Sequence, residues 1–220
     1  MKLKVLFISI LSSFFFFSCS DDVINDLVDS VISFGDAKAK VDGVQKDFSN
    51  YAGYRTTGNS TALYFADFEF KVTQLDVKGH AILSFMHTDL FNTEEGIEIN
   101  LATAPEIALD PKKALGAALY LSNVSAQDLY DLIVEYNKNQ NLAAVIQLAG
   151  QKDVTIQRVT AADIVTNLDP SGNITFNFTK MADNKVSGTF SFKAYGDDDN
   201  VAITEGTFTD TPMDTFDFSN

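Results

Sequence analysis

Apolar residues recur along this chain with three different rhythms, and each predicts a different kind of element. Val5 to Phe17 is a nearly continuous apolar run of thirteen residues, interrupted only by Ser9, Ser12 and Ser13. A helical rhythm follows. Val23, Ile24, Leu27, Val28, Val31 and Ile32 share one helix face over residues 21–34, and Gly35 can end the helix. Asp21, Asp22 and Asp26 lie in its first turns, where negative charge suits the helix dipole.

Period two governs most of the remainder. Ala37, Ala39 and Val41 alternate with lysines before the turn signal Asp42-Gly43. From Ala62 to Val72 the even positions are Ala62, Tyr64, Ala66, Phe68, Phe70 and Val72, and the later ones are separated by Asp67, Glu69 and Lys71. That pattern predicts a strand with one buried face. Further strands are predicted at 81–86 and 96–102, whereas Ala114 to Leu121 fits either a strand or a helix. In the last third Ile174, Phe176 and Phe178 share one strand face, and Phe190, Phe192 and Ala194 share another. Asp183-Asn184 and the run Gly196 to Asn200 read as turns. Residues 185–195 and 200–209 should therefore pair as antiparallel neighbours, with Phe190 and Phe192 inward.

One stretch departs from period two. Ser125-Ala126-Gln127-Asp128 has capping-box spacing, with Val124 and Leu129 at the staple positions and Leu129, Leu132, Ile133 and Tyr136 as an apolar stripe. A second helical segment, Leu142 to Ala149, ends at Gly150. The fold class expected is mainly β (α+β): an antiparallel β-sandwich or partly open barrel with a helical insertion around 125–149 and an N-terminal helix. Nineteen phenylalanines can fill such an interior without burying polar atoms.

The apolar run at the start is an address. As a helix, thirteen residues span roughly 20 Å, short of the ~30 Å hydrocarbon core, so a signal-peptide h-region behind Met1-Lys2-Leu3-Lys4 is the better reading. Phe16-Phe17-Ser18-Cys19 resembles a lipobox, with Phe16 where Leu is usual. The resemblance implies that the Cys19 thiol is diacylated and that Cys19 becomes the acylated N-terminus. Ser20, Asp21 and Asp22 resemble the signal that exports Bacteroidota lipoproteins to the outer cell surface. Asp29-Ser30-Val31 resembles an O-glycosylation acceptor of the same phylum, with Ser30 the modified residue. The expected organisation is a signal peptide at 1–18, a lipidated N-terminus and amphipathic helix at 19–35, a single β-rich domain at 36–211 and an acidic tail at 212–220. Cleavage takes Lys2 and Lys4 away, so 220 residues become 202 and the net charge of −14 becomes −16.

A family resemblance covers about 36–50 and 150–211. Val186-Ser187-Gly188-Thr189-Phe190-Ser191-Phe192, a polar turn and Ile203-Thr204-Glu205-Gly206-Thr207-Phe208 are similar to the closing hairpin of uncharacterised Bacteroidota lipoproteins. Their domain, which also opens with a strand and a DG turn like Val41-Asp42-Gly43, has no established function. It implies an architecture and an outer-membrane address, but no catalytic residues. Gly188 and Gly206 read as a bulge or a close strand approach.

Composition narrows the chemistry. Sixteen basic against thirty acidic residues repel phosphate backbones, which argues against nucleic acid as a partner. A single cysteine excludes an internal disulfide framework. Only His80 and His87 could serve as catalytic bases, and no catalytic motif is present, so the expectation is a non-enzymatic module without a cofactor. Asp197, Asp199 and Asn200 offer oxygen ligands for a weak calcium site, but the spaced acidic loop and distal glutamate are missing, so a solvated turn is favoured. The function expected is an outer-membrane lipoprotein, lipid-anchored at the cell surface, acting as a binding, adhesion or accessory module for a cell-surface or glycan partner. The alternative weighed is a glycosidase-like hydrolase working through paired carboxylates.

Overall fold

Alternation becomes a sheet when the polar backbone of one strand must be satisfied by its neighbours. The computed structural model describes residues 35–55, 60–67, 76–86, 95–101, 114–139, 141–160, 174–197 and 199–216. The expected signal segment and the expected helix at 21–34, with Cys19, Ser20, Asp21, Asp22 and Ser30, lie outside the described residues, as does His87.

Among the described residues, ten strands form one sheet: β1 Gly35–Val41, β2 Val44–Arg55, β3 Ser60–Ala66, β4 Gly79–Met86, β5 Ile97–Leu101, β6 Ala114–Val124, β7 Thr155–Thr160, β8 Thr175–Ala182, β9 Lys185–Tyr195 and β10 Asn200–Phe216. Two helices, α1 Ala126–Asn139 and α2 Leu142–Gln151, interrupt them. The ambiguous segment at 114–121 is strand.

Pairing runs around a ring. β1 joins β2 and β10; β2 joins β3, β3 joins β4, and β4 joins β6, all antiparallel. On the other side β10 joins β9, β9 joins β8, and β8 joins β5. Closure between the halves is thin. β5 meets β6 in parallel through Asn100↔Ala114 and Leu101↔Leu115, and β7, paired along β6, meets β9 through Arg158↔Tyr195. The sheet is thus nearly closed into a barrel, with a seam between β6–β7 and β8–β9.

The barrel is filled rather than hollow. Phe65, Phe176, Phe178, Phe190, Phe192 and Phe208 belong to one buried cluster with Ala39, Leu63, Ile82 and Ile203. Phe65 stacks on Phe190 with ring centroids 4.7 Å apart and planes 6° apart, and Phe176 lies 5.7 Å from Phe190. Phe208 meets the edge of Phe178 at 5.6 Å. The expected β9–β10 hairpin is present with both of its predicted phenylalanines inside.

Two glycines make the ring packing fit. Gly206 pairs with Phe190, and Gly188 pairs with Phe208. A Cβ on Gly206 would stand 2.5 Å from the Phe190 carbonyl oxygen and 2.7 Å from its ring, and one on Gly188 would overlap the Asn177 carbonyl and stand 2.6 Å from the Phe208 ring. Each glycine is a recess for the ring across from it. Bulges between Ile203 and Gly206 and between Phe208 and Thr211, with Glu205 at φ 51° and Asp210 at φ 48°, bend β10 around the core.

A second core lies outside the barrel. Ala62, Ala66, Ala81, Leu83, Phe85, Ala117, Leu119 and Leu121 on the outer faces of β3, β4 and β6 are covered by Leu129, Leu132, Ile133, Tyr136 and Val145 of the helices. Phe85 stacks on Tyr136 at 3.7 Å. The strand at Ala62 therefore has two buried faces, not one. The even positions Ala62 and Ala66 lie toward the helices, while Leu63 and Phe65 fill the barrel; Phe68, Phe70 and Val72 lie outside the described residues. Beyond Gly35, β10 pairs in parallel with β2 from Met213↔Ala52 to Phe216↔Arg55. Residues 212–216 of the expected acidic tail are thus strand, and residues 217–220 lie outside the described residues.

Gly188→Ala should lower stability by about 1–3 kcal/mol through overpacking. Gly150, near the end of α2 with nothing within 4 Å of its would-be Cβ, supplies the contrast. Gly150→Ala should raise stability by about 0.5–1 kcal/mol. Urea unfolding midpoints of the two variants should move in opposite directions.

Candidate functional site at the barrel rim

One end of the barrel gathers the Asp42-Gly43 turn, the Gly196–Asp199 turn, the end of β3 and the starts of β4 and β7. Gly35 and the Asp183-Asn184 turn mark the opposite end. By alternation with Phe48, Phe65, Ile82 and Val159, the residues Lys46, Asp67, His80 and Gln157 stand on the interior side, at the mouth, together with the buried Tyr120.

Asp67 is the hub of this plug. Its Oδ1 accepts the His80 backbone N–H at 2.5 Å, and its Oδ2 lies 2.8 Å from His80 Nδ1. Lys46 Nζ stands 3.3 Å from the same Oδ2 and 3.1 Å from His80 Nδ1. Lysine only donates, so Nδ1 either accepts from Lys46 or donates to Asp67; Asp67 joins β2 to β4 in both states. The His80 ring stacks 5.9 Å from that of Tyr120. Burial, with smaller contributions from the charges of Asp67 and Asp42, pushes the Tyr120 phenol up to about 12.

The turns close over this plug. Asp42, at φ 48°, donates its N–H to the Ala202 carbonyl at 2.9 Å and accepts the Ala202 N–H on Oδ1 at 2.8 Å. Asp199 accepts the Gly196 N–H on its carbonyl at 2.7 Å and the Gln157 Nε2 on Oδ1 at 2.8 Å. That second bond reaches across the seam. Gln157 is only 4% exposed, and its Oε1 has no hydrogen-bond partner.

Of the residues singled out for calcium, Asp197, Asp199 and Asn200 do share one exposed turn. Asp199 is engaged by the Gln157 amide, however, and Asn200 pairs with Tyr195 as the first residue of β10. Among the described residues no group of three or more His, Cys, Asp or Glu side chains is placed to hold a metal. His80, one of the two histidines considered as a base, bonds Asp67 at the mouth. Sequence reading missed Lys46, Tyr120, Gln157 and the partnership of Asp67 with His80.

Beside the mouth the capping box is realised. Asp128 N–H donates to Ser125 Oγ at 3.2 Å, and Asp128 Oδ2 accepts the Ser125 N–H at 3.1 Å and its hydroxyl at 2.7 Å. Lys78 also bonds Asp128, and Lys152 lies 3.4 Å from Asp128 and 2.6 Å from Asp131. Hydrogen bonding to Asp131, opposed by burial, raises the Lys152 pKa. Burial pushes the Asp128 carboxyl up, but hydrogen bonds from Lys78 and Ser125 outweigh it and hold the group down at about 2.

Comparison with protein-family models, with curated proteins and with solved structures finds no match to this chain.

The depressed Asp128 carboxyl fixes the sign of an acid effect. Its contribution is complete above an ordinary carboxyl value of 3.8 and disappears as pH falls toward about 2. With Lys78 partly in solvent, the contribution is on the order of 1–2 kcal/mol. Asp128→Asn should be destabilised by that amount at pH 7 and converge on the parent only as pH falls to about 2, as measured by denaturant unfolding across pH.

Proposed function

We propose that this chain is a lipid-anchored lipoprotein of the outer membrane, displayed at the cell surface as a non-enzymatic binding, adhesion or accessory module. One observation carries the reading: Cys19, the only cysteine, stands directly behind a basic start, a thirteen-residue apolar run and a small residue. Three acyl chains on that cysteine would bury dozens of methylenes at ~0.8 kcal/mol each, enough to hold an acidic domain without a basic patch. Among the described residues no helix is long and apolar enough to cross a membrane. The resemblance of the β9–β10 hairpin to that of uncharacterised Bacteroidota lipoproteins supports the same address.

The packing supports binding on the outside rather than storage within. Aromatic rings occupy the barrel interior. β1 starts at Gly35, at the end opposite the rim. A cell-surface protein or glycan would meet that rim. The carboxylate hydrolase gains nothing from Asp128, which is held ionised and so is unsuited to donate a proton.

Cys19→Ala should abolish lipidation and release processed protein from the membrane fraction while leaving the β-domain fold intact. Asp21→Ala/Asp22→Ala should keep the lipid but reduce digestion by protease added to intact cells. A processed Cys19→Ala protein that stays with the membrane contradicts the anchor, and undiminished digestion of the double variant contradicts the export signal.

A further inference from the structure

The mouth holds an acceptor with nothing to accept. Gln157 lies at the mouth end of the interior face of β7, its Nε2 committed to Asp199 and its Oε1 buried without a partner. A buried acceptor left unpaired is costly, and such an atom marks a place where a donor belongs. The charge around it specifies the donor. The Asp42 and Asp199 carboxylates accept from the neutral N–H groups of Ala202 and Gln157, which do not cancel their charge. Asp67 shares the one Lys46 ammonium. Three carboxylates against one ammonium leave the mouth negative.

The rim is also apolar in places. Val44, two residues beyond Lys46 on the same strand face, is 64% exposed, and Val77, just before β4, is 46% exposed. A basic peptide carrying an apolar residue beside its cation matches this pattern of charge and surface.

We propose that the mouth is a docking site for a basic segment of a partner protein, with a lysine or arginine side chain pairing with Asp199 and donating to Gln157 Oε1, and a neighbouring apolar residue covering Val44. Asp199 Oδ1 keeps the Gln157 amide while its other oxygen pairs with the incoming cation, which donates a second N–H to Oε1. The inference rests on the binding-module reading and names its partner chemistry. It does not depend on the lipid, so failure of binding and failure of anchoring are read in separate experiments.

The test is calorimetric titration of the purified full-length chain with a blocked pentapeptide alternating lysine and valine. The same peptide with glutamate for lysine, and one with glycine for valine, serve as controls. Saturable binding that weakens with salt is expected for the lysine–valine peptide alone. Asp199→Asn should weaken it at least about fivefold, as expected for loss of a charge-assisted contact. Asp183→Asn and Asp210→Asn, at the other end of the barrel and in a left-handed turn and a left-handed bulge position that asparagine tolerates, should leave it unchanged. Gln157→Leu removes the acceptor and should weaken binding while thermal unfolding stays cooperative. If that variant does not fold, Gln157→Glu decides, because an added carboxylate of the same shape should tighten binding. Absence of saturation, equal weakening by the far-end variants, or undiminished affinity of the glycine-for-valine peptide would each overturn the proposal.

Discussion

The stacking of phenylalanines against two glycine recesses is the constraint on which the rest of this structure depends. Phe190 lies within 4.7–6.3 Å of Phe65, Phe176 and Phe208, so one ring joins β3, β8, β9 and β10. Each ring packs where its cross-strand partner has no side chain, Phe190 over Gly206 and Phe208 over Gly188. Aromatic burial supplies a large apolar area per residue, and the recesses let the strands stay at pairing distance around rings that would otherwise push them apart. The bulges in β10 follow from the same demand, because a strand that holds the cluster on one side while pairing with β9, β1 and finally β2 must bend.

Closure passes the remaining burden to the rim. With pairing across the seam limited to a few residues, the side chains of Gln157 and Asp199 tie β7 to the β9–β10 turn, while Asp67 ties β2 to β4. These polar contacts stop the aromatic core from opening to water at that end, and they also concentrate negative charge there. A plug with one unpaired acceptor both seals the mouth and leaves it receptive.

What was legible in the sequence follows from how local each signal is. The hairpin at 185–209 could be read because alternating phenylalanines flank a turn-rich run, and the capping box at Ser125–Asp128 because its partners are three residues apart. The inside of β3 could not be read. Helices cover the outer face of β3, so Ala62 and Ala66 are as buried as Leu63 and Phe65, and alternation no longer distinguishes the faces. The mouth was equally hidden. Asp67 meets His80 across 13 residues, Lys46 reaches His80 across 34 and Gln157 reaches Asp199 across 42, so only the strand register brings them together. The run of β10 through Pro212 depends on its parallel pairing with β2, which composition does not encode.

If the aromatic cluster is the common support of the barrel, its loss must be felt everywhere. Native-state hydrogen exchange on Phe190→Ala measures this, with Phe85→Ala, which removes the outer stack on Tyr136, as the reference. Removal of Phe190 should cost about 3–5 kcal/mol. Protection should fall together in β3, β4, β6, β8, β9 and β10, whereas removal of Phe85 should loosen α1 and α2 first. A Phe190→Ala protein that loses protection only in β9 and β10, with β3, β4 and β6 exchanging as before, would contradict the account.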